Sequence, residues 1–214
     1  LVSLQSVAGS SDQIPFSLSF DQEKLMFEFD FFIEHAVLNY FSGTMPAPSV
    51  ALLRKEFAGI AQLLVRPEHF VLNHRDFHSR NILLYHDTPY LIDFQDARMG
   101  LPQYDAVSLL RDSYITLDDS VAEELKRYHY DALVRGGLIM MSFDEYLFLF
   151  DVMAFQRNIK ALGTFCYQTA VLGKPQYEVS IAPTLAYLSA YIARRKELEQ
   201  AGTLLLPLLE GDRS

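Results

Sequence analysis

Residues 74–96 read HRDFHSRNILLYHDTPYLIDFQD, in which two polar loops flank two short apolar runs. The runs 82–85 and 90–92 consist largely of residues that favour β-strands, and the four residues between them have the composition of a turn. A third run of this kind, 70–72, precedes the first loop. The sequence therefore predicts a small strand cluster over 70–94, with polar loops on both sides of a β-hairpin.

Three oxygen-bearing side chains of these loops have the spacing that phosphoryl transfer requires. Asp76 is followed five residues later by Asn81, and Asp93 ends the return strand of the hairpin. Transfer from a nucleoside triphosphate needs a carboxylate that orients and deprotonates the acceptor hydroxyl, and oxygen ligands that hold Mg²⁺ on the phosphates. The spacing predicts that Asp76 is the base and that Asn81 and Asp93 are the metal ligands.

The rest of the chain is dominated by helical periodicity. Upstream of the strand cluster, one helix is predicted from Asp21 to about residue 41 and a second from Ser49 to Pro67. The buried face predicted for the second helix consists of Leu53, Phe57, Ile60 and Leu64. Downstream, helices are predicted over about 103–112, 120–135, 142–170 and 177–200. Residues 1–20 show no firm period and are predicted as a loop or arm, so the predicted fold is α+β and mostly helical.

The composition is that of an ordinary globular protein, with 50% hydrophobic and 21% charged residues. A formal net charge of −9 and a single basic cluster at 194–196 argue against a nucleic-acid partner. No apolar run approaches the ~20 residues needed to cross a bilayer. The start of the chain lacks the basic region of a secretory signal, and the one cysteine, Cys166, fits a reducing compartment. The sequence predicts a soluble, cytoplasmic protein without a membrane partner.

The two polar loops resemble the catalytic and metal loops of the aminoglycoside phosphotransferase and choline kinase superfamily, relatives of the protein kinases. The matching segments are HRDFHSRN at 74–81, DFQDA at 93–97, YD at 104–105, SLLRD at 108–112 and QRNIK at 156–160. The resemblance spans roughly residues 21–200 and looks most like the branch of bacterial N-acetylmuramate/N-acetylglucosamine kinases. It implies a protein-kinase-like C-terminal lobe over 21–214, with the catalytic and metal loops on the small β-hairpin.

The resemblance also implies a division of roles among the loop residues. Asp76 would be the catalytic base, with Asn81 and Asp93 as Mg²⁺ ligands. ATP would be the phosphate donor, and a hydroxyl of an amino sugar from cell-wall recycling would be the acceptor. The residues that would support the catalytic loop are His74, His78 and Asp105. The residues that would contact the sugar are Arg80, Gln95, Asp96, Arg111 and Arg157.

The family's small nucleotide lobe is not visible in the sequence. That lobe carries a glycine-rich phosphate loop and a strand lysine, whereas this chain has no G-x-G-x-x-G and its first lysine is Lys24. The expectation is therefore that the chain represents the large lobe alone. Because positioning and charge neutralisation provide nearly all the catalysis of phosphoryl transfer, such a piece should turn over negligibly by itself.

Several alternative functions stay open at this stage. Within the same family, the acceptor could be an aminoglycoside, choline or homoserine. Choline would need an aromatic cage, which a chain without tryptophan supplies less readily, whereas polycationic aminoglycosides suit the acidic composition. A non-catalytic binding module is the second class. A metal-dependent hydrolase with zinc on His74, Asp76 and His78 is the third, although no further histidine-rich ligand set follows.

Overall fold

The computed structural model of the chain describes residues 1–112, 115 and 117–210. The α-helices are α1 (Val2–Gln5), α2 (Ile14–Ser17), α3 (Gln22–Phe32), α4 (Ala47–Leu64), α5 (Gln103–Leu110), α6 (Asp119–Arg135), α7 (Phe143–Cys166), α8 (Ile181–Arg194) and α9 (Glu199–Glu210). The strands are β1 (Val71–Asn73), β2 (Ile82–Tyr85), β3 (Thr88–Leu91) and β4 (Arg98–Gly100). This confirms the mostly helical α+β fold predicted from the sequence.

The described chain forms two compact units, each built from two separated stretches. The first unit combines Leu1–Asp21 with Val65–Met153, and the second combines Gln22–Leu64 with the chain from Ala154 onward. Every residue predicted from the sequence to belong to the site lies in the first unit, except Arg157. The predicted lobe over 21–214 stays a prediction, and its last four residues lie outside the described part.

The strands of the first unit form two separate antiparallel pairs. β2 and β3 make the predicted hairpin, with Ile82 opposite Leu91, and β1 pairs with β4, which the sequence did not indicate. His86 and Asp87 form the two-residue hairpin turn with φ of 48° and 58°. Positive φ at both positions matches the twist of the flanking strands, and short polar residues tolerate it.

The first twenty residues, predicted as a loop or arm, contain the short helices α1 and α2 between irregular segments. Ser19 forms an isolated parallel β-bridge with Met99 of β4. The ring of Phe20 stacks on that of Tyr104 with centroids 4.1 Å apart. Helices of four residues are too short to show a period, so the sequence pattern could not reveal them. Contacts with other segments of the first unit hold these two helices in place.

A buried hydrogen-bonded chain joins α1, α6 and α7 to the start of α5. The Gln5 amide donates from Nε2 to the Pro102 carbonyl (3.0 Å), and its Oε1 lies 2.8 Å from Nε2 of His129. An amide oxygen only accepts, so His129 carries its proton on Nε2, and Nδ1 accepts from the Tyr146 hydroxyl at 2.7 Å. Burial lowers the pKa of His129 to about 4, so the ring is neutral at pH 7, as this chain of bonds requires.

The core of the second unit includes the predicted face of α4. The four residues of that face are all nearly fully buried, which confirms the helical register: Leu53, Phe57, Ile60 and Leu64. The ring of Phe29 on α3 stacks on Phe57 with centroids 4.2 Å apart. On α7, Gly163 approaches the backbone of Phe32 so closely that an added Cβ would lie 2.9 Å from the Phe32 Cα.

Helix α7 begins at the predicted cap. The Ser142 hydroxyl accepts the backbone N–H of Glu145 at 3.1 Å, which satisfies a donor of the first turn. The helix continues as a π-helical segment, Tyr167–Val171, as α3 does over Ile33–Tyr40. Neither α7 nor any other helix among the described residues has the length and apolar character needed to cross a bilayer.

The single helix predicted over 177–200 is wrong, because the chain divides there into several elements. A 3-10 segment, Pro175–Ser180, precedes α8, and Arg195 then adopts an extended conformation with φ −127° and ψ 110°. Helix α9 packs against α8, where an added Cβ on Gly202 would lie 2.4 Å from a side-chain carbon of Ile192. Arginine has a high helix propensity, so the residue at position 195 gives no indication in the sequence that the helix ends there.

Candidate active site

The loop over residues 74–81 connects β1 to the hairpin and joins the three predicted reactive positions. The Asn81 side chain donates from Nδ2 to the backbone carbonyl of Asp76 at 3.0 Å. The Asn81 carbonyl accepts the N–H of Ile92 at 3.2 Å, and Asp93 follows directly. These two contacts bring Asp76, Asn81 and Asp93 to the same end of the hairpin.

Two carboxylates from α5 and its C-terminal end hold this loop by its backbone. Asp105, which is fully buried, accepts the N–H groups of His74 (2.6 Å) and Arg75 (2.9 Å). Asp112 accepts the N–H of Ser79 at 2.9 Å and is 4% exposed. Helix α5 ends at Leu110, so Asp112 lies just beyond the helix, and the two carboxylates bind the beginning and the later part of the same loop.

His74 is a buried part of the loop. Its ring packs edge-on against Phe77, with centroids 6.1 Å apart. Burial lowers the pKa of His74 and outweighs the nearby carboxylates of Asp76 and Asp93, which act in the opposite direction. A neutral imidazole therefore lies beneath the loop and adds no positive charge to the site.

Residues 93–97, which the family resemblance implies to be the metal loop, are held by side chains of this loop and of the loop at 74–81. Gln95 donates from Nε2 to Oδ1 of Asp93 at 2.9 Å, and Nη1 of Arg75 lies 2.8 Å from Oδ2 of Asp96. Gln95 and Asp96, predicted as sugar contacts, thus already have partners within the loops. Arg75 and Asp93 have φ of 78° and 69°, a region that non-glycine residues seldom adopt.

The remaining predicted residues lie in different environments. Arg80 is exposed in the 3-10 turn of the catalytic loop, and His78 precedes that turn and is half-buried. Arg111 is buried at the end of α5, with Nη1 3.2 Å from Oδ1 of Asp119. Arg157 is half-buried on α7, in the second unit.

Sequence reasoning gave no role to two residues that the structure places in the site. Arg75 belongs to the quoted motif, and only the structure reveals its ion pair with the metal loop. Asp112 is the last residue of the quoted segment 108–112, and only the structure reveals that it is buried against the loop backbone. The spacing from Asp105 is no reliable signal for it, because α5 ends at Leu110 and the non-helical Arg111 separates Asp112 from the helix.

The residues at the end of the hairpin fit a magnesium ion. The nitrogen of the Asn81 amide bonds to the Asp76 carbonyl, so the amide oxygen is directed elsewhere, and Asp93 adds a carboxylate. Mg²⁺ favours such oxygen donors and takes its other ligands from phosphates and water. Within the described ranges, no group of three or more His, Cys, Asp or Glu side chains is arranged to hold a metal ion.

Comparison with known proteins extends the loop resemblance to most of the chain. The phosphotransferase enzyme family matches residues 21–136, which include both loops. A Pseudomonas aeruginosa protein named N-acetylmuramate/N-acetylglucosamine kinase is 36% identical over 158 residues, 71% of this chain and 46% of that protein. Proteins of the same name from Neisseria meningitidis and Pseudomonas putida are 37% and 32% identical over 69% and 72% of this chain. The chain spans less than half the length of these relatives, 44% to 46%.

Proposed function

The chain belongs to the phosphotransferase enzyme family, and we propose that it forms part of a kinase that transfers the γ-phosphate of ATP to an amino-sugar hydroxyl. The observation that carries the proposal is the agreement between two findings. The relatives named for kinases of N-acetylmuramate and N-acetylglucosamine are 32% to 37% identical to this chain. Asp76, the proposed base, and Asn81 and Asp93, the proposed metal ligands, lie at one end of the hairpin, which supports the proposal.

In this proposal, Asp76 accepts the proton of the acceptor hydroxyl while the hydroxyl oxygen attacks the γ-phosphorus and ADP leaves. Asn81 and Asp93 would hold Mg²⁺, which would supply charge neutralisation at the phosphates. The hydrogen bonds that Asp105 and Asp112 accept from the loop backbone support this role, because they fix the backbone on both sides of Asp76. Accurate positioning is the main protein contribution to such a reaction.

The acceptor is proposed to be an amino sugar of cell-wall recycling, handled in the reducing cytoplasm. Arg80, Arg111 and Arg157 remain proposed contacts, because a guanidinium donates in a fixed fork to hydroxyl and carboxylate oxygens. The buried thiol of Cys166 is compatible with a reducing compartment, and burial raises its pKa to about 12. The chain covers 44% to 46% of the length of these relatives, so nucleotide binding and turnover are proposed for the whole protein.

Replacing Asp76 tests the proposal most directly. In the complete gene product, Asp76→Asn should lower the rate of phosphate transfer about a thousandfold, because general-base catalysis contributes about 10²–10⁴-fold. The measurement is ADP release with N-acetylmuramate as acceptor, together with the melting temperature. Asp87→Asn at the exposed hairpin turn makes the same chemical change outside the site and should keep the wild-type rate. Turnover retained by Asp76→Asn would remove Asp76 from the proposed role.

A panel of acceptors tests the sugar assignment separately. N-acetylmuramate, N-acetylglucosamine, kanamycin, choline and homoserine are each incubated with ATP and the complete gene product, and phosphorylated products are identified by ³¹P NMR. We expect phosphate on the amino sugars. Phosphorylation of kanamycin without the amino sugars would keep the phosphotransferase and overturn its sugar acceptor.

A further inference from the structure

An ion pair connects the catalytic loop to the metal loop within the first unit. Nη1 of Arg75 lies 2.8 Å from Oδ2 of Asp96, and the side chains are 16% and 51% exposed. We propose that this pair, the Arg75–Asp96 latch, positions Asp93 for the metal, so that Asp96 is a positioning residue and not a sugar contact. The inference rests on the proposed function, because it concerns the same site.

The backbone of Arg75 is fixed before its side chain reaches the metal loop. Asp105 accepts the Arg75 N–H at 2.9 Å, and Arg75 adopts φ of 78°. A residue keeps such a conformation only where its surroundings determine it from several sides. The buried carboxylate of Asp105 therefore anchors the backbone at this point, and the guanidinium extends that anchor to Asp96.

Asp96 is connected to Asp93 through a tight turn of the backbone and a side-chain hydrogen bond. The N–H of Ala97 donates to the Phe94 carbonyl at 3.1 Å, which closes a tight turn around Asp96. Gln95, inside the same turn, donates to Oδ1 of Asp93 at 2.9 Å. A displacement of Asp96 would therefore move the turn and change the direction of the Asp93 carboxylate, whose own φ is 69°.

The exposure of the latch determines which property it should affect. A partly exposed ion pair contributes little to folding stability, because water screens it and the long arginine side chain must be ordered. A misplacement of about 1 Å at a reacting centre can, in contrast, reduce a rate about a hundredfold. The latch should therefore have a small effect on unfolding and a large effect on metal binding. A sugar contact would change the KM of the acceptor instead.

The test measures metal binding apart from turnover. Mn²⁺ is titrated into the complete gene product with a non-hydrolysable ATP analogue, and bound Mn²⁺ is followed by electron paramagnetic resonance. Asp96→Asn should raise the Kd of Mn²⁺ about tenfold and leave the acceptor KM and the melting temperature unchanged. Asp87→Asn removes the same charge at the far end of the hairpin and should leave the Kd unchanged.

A charge exchange across the latch completes the design. Arg75→Asp alone should weaken Mn²⁺ binding, and the double variant Arg75→Asp with Asp96→Arg should recover most of the affinity. Aspartate tolerates the left-handed conformation at position 75 better than most residues, so the exchange is sterically permitted. Recovery in the double variant identifies the pair itself, since two independent losses would add.

The outcomes separate the latch from the proposed function. If Asp96→Asn raises the acceptor KM and keeps the Mn²⁺ affinity, Asp96 is a sugar contact and the latch is overturned. Unchanged Mn²⁺ affinity in every variant, or no binding of Mn²⁺ and nucleotide by the wild type, also overturns it. If the wild type phosphorylates no acceptor and the exchange still restores Mn²⁺ binding, the proposed function fails and the latch stands.

Discussion

At the scale of single residues, the carboxylate of Asp105 determines where the catalytic loop begins. It is fully buried and accepts two consecutive backbone N–H groups, those of His74 and Arg75. Without this acceptor, both N–H groups would be left without a hydrogen bond in a buried or half-buried position, which costs free energy. One side chain of α5 thus supplies what a strand or helix partner would otherwise supply to the loop.

Substitution of Asp105 should therefore cost more than the same substitution at Asp112. An asparagine at position 105 offers one acceptor to two N–H groups and turns its own NH₂ toward one of them, which should lower the free energy of unfolding by about 3 kcal/mol. Asp112→Asn keeps an oxygen for the single N–H of Ser79 and should cost about 1 kcal/mol. Urea unfolding measures the free energy of unfolding of both variants. Equal losses would contradict the explanation that Asp105 matters more because it accepts two N–H groups.

The sequence motifs and the family resemblance predicted most candidate residues, including Asp105, which binds the loop backbone from a distant segment, but they gave no role to Asp112 or Arg75. Asp76, Asn81 and Asp93 are recognisable because their spacing along the chain is itself the signal. Asp112 and Gln5 act through backbone groups of distant segments, Ser79 and Pro102, and such contacts leave no pattern in the neighbouring sequence. Arg75 was visible as a letter of the motif, but its partner depends on a turn that only coordinates reveal.

At the scale of elements, the contact between α3 and α7 depends on the absence of a side chain at Gly163. An added Cβ would lie 2.9 Å from the Cα and 3.1 Å from the backbone nitrogen of Phe32. Backbone atoms cannot turn aside as a flexible side chain can. The glycine therefore allows two helices of the second unit to approach more closely than other residues would permit.

Two glycine-to-alanine substitutions should have opposite effects. Gly59 lies exposed inside α4 with nothing within 4 Å of an added Cβ, so Gly59→Ala should stabilise the protein by about 1 kcal/mol through helix propensity. Gly163→Ala gains the same propensity but forces α3 and α7 apart, and should lower the melting temperature. The two thermal shifts are compared by calorimetry. A stabilising Gly163→Ala would show that the helices separate without cost.

Element prediction succeeded where a segment carries its own boundaries. The hairpin is flanked by polar loops and contains a short turn, and α4 has a strict apolar face, so both lie where the sequence predicts them. β4 is only three residues long, and its pairing with β1 is non-local. α8 ends before Arg195, which is extended although it is no helix breaker, and α9 then packs with Gly202 close to the Ile192 side chain.

At the scale of the whole molecule, the neutral ring of His129 makes stability depend on pH. Burial lowers its pKa from 6.5 to about 4. The unfolded chain then binds a proton more readily than the folded one, so stability falls as the pH drops from about 6.5 toward 4. This group should remove about 3 kcal/mol over that range and have no effect above it.

Urea unfolding at pH 7.0, 5.5 and 4.5 measures this dependence. His74, whose pKa burial also lowers, acts in the same direction, so the contribution of His129 is isolated by comparison with a His129→Gln variant. Glutamine can donate and accept in place of the imidazole and does not titrate. The variant should lose less stability on acidification than the wild type. Parallel pH profiles would show that His129 is not the group responsible.

The alternation of the two units along the chain has a consequence during synthesis on the ribosome. The stretch Gln22–Leu64 emerges early, but the stretch that completes its unit begins at Ala154, after the whole of Val65–Met153. Until then, α4 has α3 beside it but lacks its later partners Phe155 and α9, and apolar surface left uncovered in this way promotes aggregation. Neither unit can be excised as one continuous peptide, and a product released early by a stalled ribosome would leave at least one of them unfinished.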